Sequence, residues 1–266
     1  MKALFIPLLF VTFLSQAQSK KELFYGFDKD WKPVDNLESA PYFMHKVKEN
    51  DTTYVCRFYQ SKGPLVQLET YKDDKLTIAH GLFAWYNKEG KLDSLGNYFD
   101  DYKNDQWQYN FDDSTKPRIV DEFELGTLIK RVNYDRKLVF YPNGKKVSFD
   151  STTESNDALN DSAIKIPAKY KGDLKGWSNY LSKNMQTPLR FMQISGPNSK
   201  CAVIVSFVIE TTGKVSNLLI HKSCEWSVDM ETMRVIKESP GWQPATINGQ
   251  PVIYRHKQSI THQVGY

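Results

Sequence analysis

The sequence predicts an α+β protein in two parts: an antiparallel β-meander, then a smaller unit in the order helix, strand, strand, helix, strand. Three observations predict it. From Glu22 to about Asp150 the chain is a series of short aromatic strands punctuated by Gly, Asn and Asp turns, with no 3.6-residue period long enough for a substantial helix. Between 148 and 169 the composition changes to Ser, Thr, Asn, Asp and Ala with few bulky apolar residues, which reads as a linker. Beyond it, helical and alternating apolar periods follow one another. The expected division is an export signal at 1–17, a repeat domain at 18–147, a linker at 148–169 and a C-terminal domain at 170–266.

The export signal rests on Lys2, the apolar run Ala3 to Leu14 and the small residues Ser15 and Ala17, so cleavage is expected after Ala17. The run of about 11 or 12 apolar residues is shorter than the roughly 17 to 25 a membrane-spanning helix needs. An uncleaved anchor in the inner membrane is the alternative. The remaining chain of about 250 residues exceeds the usual single domain, which favours two.

The first part carries a repeat. Shifting the sequence by 27 residues superimposes Tyr59 on Tyr86, Gly63 on Gly90, Leu65 on Leu92, Leu68 on Leu95 and Tyr71 on Tyr98. One offset with that many coincidences predicts a repeated hairpin whose Gly turn reverses the chain. Tyr141-Pro142-Asn143-Gly144 supplies a further turn, and Phe123 to Ile129 looks like half of a degenerate copy. The segments His80 to Tyr86 and Gly90-Lys91-Leu92 resemble MORN-type repeats. An aromatic ladder across a meander accounts for them. The functional alternative is an envelope carbohydrate- or peptide-binding face, which predicts a deep pocket lined by Trp85, Tyr86, Tyr98 or Trp107 and converging polar groups.

In the second part, Leu174, Trp177 and Leu181 space a short helix over Asp173 to Met185, and Pro188 ends the region. Cys201 to Ile209 is an apolar strand, Thr211-Thr212-Gly213 a turn, and Val215 to His221 a second strand. Asp229 to Lys237 reads as a helix ended by Ser239-Pro240-Gly241, and Pro251 to His262 as a long last strand. These strands form a three-stranded antiparallel sheet. Gly213 and Gly249 suit turns needing a positive φ, Pro240 stops a helix, and Trp242 caps the core.

The residues Phe207-Val208-Ile209, Gly213-Lys214-Val215, Met230-Glu231, Arg234-Val235-Ile236, Pro240-Gly241-Trp242-Gln243-Pro244-Ala245 and Asn248-Gly249-Gln250-Pro251-Val252 resemble the C-terminal domain of TonB as it occurs in exported Bacteroidetes-type proteins. The resemblance spans about 170 to 262. It implies binding by strand addition, in which the TonB box of an outer-membrane receptor pairs with the edge of the sheet, and a place in TonB-dependent transmembrane transport. If the family geometry holds, the edge is the last strand, Val252 to Thr261, with Val252, Tyr254, Arg255, His256, Lys257 and Gln258 as candidate contacts. Gly213, Pro240, Trp242, Pro244, Ala245 and Gly249 are then structural. The expected location is the Gram-negative periplasm. The partner is an outer-membrane TonB-dependent receptor or another envelope protein, and edge pairing also allows a homodimer. The chain departs from the family pattern at Thr187 and at the ending Ser259-Ile260-Thr261-His262, and cleavage after Ala17 would leave no membrane helix to transduce energy.

Other chemistry is thinly represented. The net charge of +4 is spread without a basic block, so no nucleic acid is expected. No nucleophile elbow, zincin motif, phosphate loop or dinucleotide fingerprint occurs, so no enzyme and no cofactor is expected. His221 and Cys224 fall short of a metal ligand set, and Asp100, Asp101, Asn104 and Asp105 lack the EF-hand order. Cys201 and Cys224 bracket the predicted hairpin. A two-residue turn at Thr212-Gly213 sets them opposite each other, within disulfide range, whereas a three-residue turn opposes Cys201 to Ser223.

Overall fold

The computed structural model describes residues 22–112, 116–149 and 164–264. The export signal and residues 150–163 of the expected linker lie outside them. The first part is one antiparallel sheet of twelve strands. They are β1 (Glu22–Phe27), β2 (Pro33–Val34), β3 (Tyr42–Asn50), β4 (Thr53–Gln60), β5 (Leu65–Tyr71), β6 (Gly81–Tyr86), β7 (Leu92–Phe99), β8 (Tyr102–Asp112), β9 (Lys116–Glu124), β10 (Thr127–Asn133), β11 (Leu138–Phe140) and β12 (Lys146–Ser148). From β3 to β12 each strand pairs with its sequence neighbour, while β1 pairs with β3 and β2 folds back on β1.

The repeat has a structural cause. Tyr59 pairs with Leu65 and Tyr86 with Leu92, and each pair follows a β-bulge, at Phe58/Tyr59 and at Trp85/Tyr86. One turn closes both hairpins: Gln60 N–H donates to Pro64 O and Gly63 N–H to Gln60 O, just as Asn87 N–H donates to Lys91 O and Gly90 N–H to Asn87 O. The same turn recurs at Tyr141–Lys145 and at Glu210–Lys214.

Alternation divides the sheet into two faces. On one face the sheet supplies its own cover: Trp107 is 2 % exposed, and its ring lies so close over Gly96 that an added Cβ would come within 2.1 Å. Trp85 and Tyr98 flank it at ring-centre distances of 5.9 and 5.0 Å. Lys103 Nζ sits 4.2 Å above the same ring, a cation–π contact.

The opposite face is covered by the C-terminal unit. Its elements are β13 (Lys165–Ile166), β14 (Lys169–Tyr170), α1 (Asp173–Asn184), α2 (Leu189–Ser195), β15 (Lys200–Ile209), β16 (Val215–Lys222), α3 (Trp226–Lys237), β17 (Trp242–Gln243), β18 (Ala245–Ile247), β19 (Gln250–Val252) and β20 (Tyr254–Gln263). One apolar core runs through both parts, joining Phe43, Tyr59, Leu65 and Tyr86 to Phe191, Val203, Ile220 and Val228. A second lies within the C-terminal unit around Trp177, Phe207, Ile236 and Trp242. Each large side chain so buried contributes roughly 1.5–3 kcal/mol.

Several boundaries differ from the sequence reading. Pro188 does not close the helical region but stands as the extended N-cap residue of α2, at φ −63 and ψ 139; proline's fixed φ suits that position as well as it suits a stop. Leu174 is 85 % exposed, because it sits in the first turn of α1 beyond the reach of the core that Trp177 enters. The helix expected from Asp229 begins three residues early, as α3 at Trp226, since Glu225 accepts the Val228 amide as its N-cap. The expected linker, where described, carries β13, which pairs with β18, and β14, which pairs with β17.

Candidate peptide-binding edge

The central sheet of the C-terminal unit has the order β16-β15-β20. β15 is the middle strand because its odd residues Val203, Val205, Phe207 and Ile209, all fully buried, form the floor beneath the helices. β20 pairs with β15 along ten residues, from Lys200 with Gln263 to Ile209 with Tyr254. No strand among the described residues pairs with the other side of β20. The opposite border is partly closed: Lys222 of β16 bridges to Lys91, and Ser223 N–H donates to Gly90 O at 2.8 Å.

The residues of β20 alternate as a strand must. Arg255, Lys257, Ser259 and Thr261 are exposed, whereas His256 and Gln258 are half-buried and Ile260 and His262 buried. His256 rests against Phe207 and Trp242 at 5.2 and 5.4 Å between ring centres, and burial lowers its pKa. Burial also lowers that of the Lys257 amine. Beside the edge is a cavity of about 180 Å³ lined by Tyr170, Leu174, Trp177, Trp242, His256 and Gln258. Arg255 stands instead at a second cavity, of about 670 Å³, where Leu82, Gln108 and Phe111 of the meander face Ser206 and His221.

Val252 does not belong to this edge. It pairs with Ala245 in β19, and the chain changes partners at Ile253 before Tyr254 joins Ile209. An alternating apolar pattern runs unbroken through such a change, which is why the sequence shows one strand where there are two. Of the residues expected to be structural, Gly213, Trp242 and Ala245 lie together here. Gly213 has φ +80 and an added Cβ would come 2.3 Å from the Trp242 carbonyl oxygen. Trp242 Nε1–H donates to Ser239 Oγ at 2.8 Å, Ala245 is buried, and Gly249 turns β18 into β19 at φ +80.

Cys201 and Cys224 are disulfide-bonded, with Cα atoms 6.0 Å apart. Neither simple hairpin register applies. Two irregularities in the β15–β16 ladder carry the pairing from Ile209 with Val215 to Ile204 with Lys222, and Cys224 lies past the end of β16. His221 Nε2 lies 2.9 Å from Ser206 Oγ, and Cys224 is taken up in the disulfide. Of the aromatic residues of the alternative binding face, Trp85, Tyr98 and Trp107 lie together, whereas Tyr86 is on the opposite face and its hydroxyl donates to Ile220 O at 2.8 Å. Asp100 is held by Lys72 and His80, and Asp101 accepts the Ala79 amide.

What sequence reasoning missed is the seam between the parts. Asp229 is fully buried and accepts from Tyr59 Oη, Ser223 Oγ and the Cys224 amide. Ser223 in turn accepts from the Leu65 amide at 2.7 Å. The repeated tyrosines gave a signal, since both hydroxyls reach the C-terminal unit, but their targets are 170 and 134 residues away.

The C-terminal unit thus presents a helix-backed antiparallel sheet with one long border that no described strand pairs. Residues 198–263 match the family model of the Gram-negative bacterial TonB protein C-terminal domain, about a quarter of the chain. No curated protein and no solved structure is similar enough to count as a match. No helix among the described residues is long and apolar enough to cross a membrane.

Proposed function

We propose that this chain is a TonB-type envelope protein of the periplasm that binds extended peptides of outer-membrane TonB-dependent receptors by strand addition to β20. The observation that carries the reading is the one-sided pairing of β20 over ten residues. Free backbone donors and acceptors on such a border give main-chain affinity, and alternate side-chain pockets give selectivity. The cavity at Trp177 and Trp242 takes one apolar side chain on the helical side, and Arg255 and Lys257 meet the other face of the added strand. The aromatic hairpins, similar in sequence to MORN repeats, serve here as a scaffold bracing the C-terminal unit. Cleavage after Ala17 belongs to the same reading.

The test is NMR of the secreted chain titrated with a synthetic peptide from the periplasmic N-terminus of such a receptor. Amides of residues 254–263 should shift and gain exchange protection, and a scrambled peptide should have no effect. Shifts confined to other elements would overturn the proposal.

A further inference from the structure

The cavity of about 670 Å³ at Arg255 lies between the meander and the face of the central C-terminal sheet turned from its helices, and its volume is in the range of small-ligand sites. Its meander wall, from β6 to β9, contributes Leu82, Asn97 and Gln108, and its C-terminal wall, β16 and β20, contributes Asn217, Leu219 and Arg255. Asn217 and Arg255 are exposed, and Asn97 and Gln108 are half-buried, so solvent reaches all four residues. The side-chain amides of Asn97, Gln108 and Asn217 bond to no described residue, and Arg255 makes no ion pair with one.

Both walls are irregular where these groups stand. On β16 the pairing steps from Val208 with Ser216 to Ser206 with Leu219. Phe207 therefore faces two residues, Asn217 and Leu218, and Asn217 takes a left-handed φ of +47. On the meander wall the ladder steps from Leu95 with Gln108 to Asn97 with Asn104. Such bulges give up ladder hydrogen bonds and re-aim the side chains beside them, and they gather next to binding sites. Here one stands on each side of the same cleft, beside its carboxamides.

The lining also selects a chemistry. Arg255 is its one fixed charge, and none of the described residues lining it is acidic. A lone guanidinium matches a carboxylate. A carboxamide carries a donor and an acceptor side by side, which matches a peptide group, and the leucines between the carboxamides suit an aliphatic side chain.

We infer that this cleft is a second binding site, for a short peptide bearing a carboxylate. The carboxylate meets Arg255, peptide groups meet Asn97, Gln108 and Asn217, and an aliphatic side chain lies against Leu82 and Leu219. The carboxylate belongs to the peptide's C-terminus or to an acidic side chain, with the same chemistry at Arg255. The site shares Arg255 with the edge proposed for strand addition and none of the other edge residues, so Gln108 and Asn217 separate the two.

The experiment is NMR titration of the full secreted chain, following the side-chain amide signals of Asn97, Gln108 and Asn217. The probes are acetyl-Leu-Ala-Leu with a free C-terminus, its C-terminal amide, acetyl-Leu-Glu-Leu amide, and glucuronate. An acidic peptide should shift all three signals with a Kd of about 1 mM or tighter, and the neutral peptide should bind about tenfold more weakly. Tighter binding of the free acid makes the C-terminus the source, and tighter binding of the glutamyl peptide makes it an acidic side chain. Arg255→Gln should erase the preference for acid over amide. Gln108→Leu and Asn217→Gly, the second keeping the left-handed backbone without the side chain, should each weaken the acidic peptide about threefold or more. In both variants the amides of residues 254–263 should still respond to a receptor-derived peptide as in wild type. If that response is missing in wild type itself, strand addition fails and this site stands. Equal binding of acid and amide, tighter binding of glucuronate than of either acidic peptide, no response to any probe, or wild-type affinity in both variants would each overturn the inference.

Discussion

The Tyr59 hydroxyl donates to the Asp229 carboxylate at 3.2 Å, joining positions 170 residues apart. It ties the first repeated hairpin to the N-terminal half of α3, and Asp229 has no exposure to water. Burial raises the Asp229 pKa to about 7, against the hydrogen bonds from Ser223, Cys224 and Tyr59 that favour the carboxylate.

The first prediction is a pH dependence. The folded pKa lies above the unfolded value of 3.8, so the contribution of Asp229 is fully present below that value and is lost as pH rises through the folded pKa. Between about pH 4 and pH 7 the folded chain keeps a proton that the unfolded chain gives up, a loss of about 4 kcal/mol in all. His45 runs the other way, its pKa being lowered, but it is common to wild type and Asp229→Asn and cancels in their difference. Urea unfolding from pH 4 to pH 8 should show wild type losing stability relative to Asp229→Asn. A difference independent of pH would contradict this.

Tyr86→Phe should destabilise the fold by about 1–2 kcal/mol, because the Ile220 carbonyl loses its donor in a buried setting. Tyr59→Phe should cost a similar amount at low pH. If the two parts are coupled through these hydroxyls, far-UV and near-UV circular dichroism of either variant will melt at one shared, lowered temperature. Separate transitions for the two parts would contradict the common core.

Two glycines with nearly equal φ offer a controlled comparison. Gly213 and Gly144 stand at +80 and +84, but an added Cβ meets the Trp242 carbonyl oxygen at Gly213 and nothing within 4 Å at Gly144. Gly144→Ala should therefore cost only the left-handed strain, about 1 kcal/mol. Gly213→Ala should cost clearly more, roughly 3 kcal/mol, with the clash added. Equal losses in chemical denaturation would remove the close approach from the explanation.

The cysteines predict a labelling pattern. Cys56 is fully buried, and burial raises its thiol to about 12, so iodoacetamide at pH 8 should leave the native oxidised chain unmodified. Mild reduction should expose two reactive thiols, at Cys201 and Cys224. Replacing both by Ser should cost about 3 kcal/mol, from the 23-residue separation they close. Labelling of Cys56 without denaturant would sink the first half of this prediction, and unchanged stability the second.

The sequence by itself determined what depends on short-range periodicity and turn chemistry. The Tyr59/Tyr86 register, the Gly90 turn, the helix at Trp177 and the strand from Cys201 to Ile209 were all legible because each rests on contacts within a few residues or on a fixed spacing. Only the tertiary structure decided which partner each element meets. It broke the last strand at Ile253, because Val252 and Tyr254 pair with different neighbours. It turned Leu174 outward, and it placed Arg57 beside His45 under α3. These outcomes follow from which surfaces are buried against one another across more than a hundred residues, and a one-dimensional pattern carries no record of such distances.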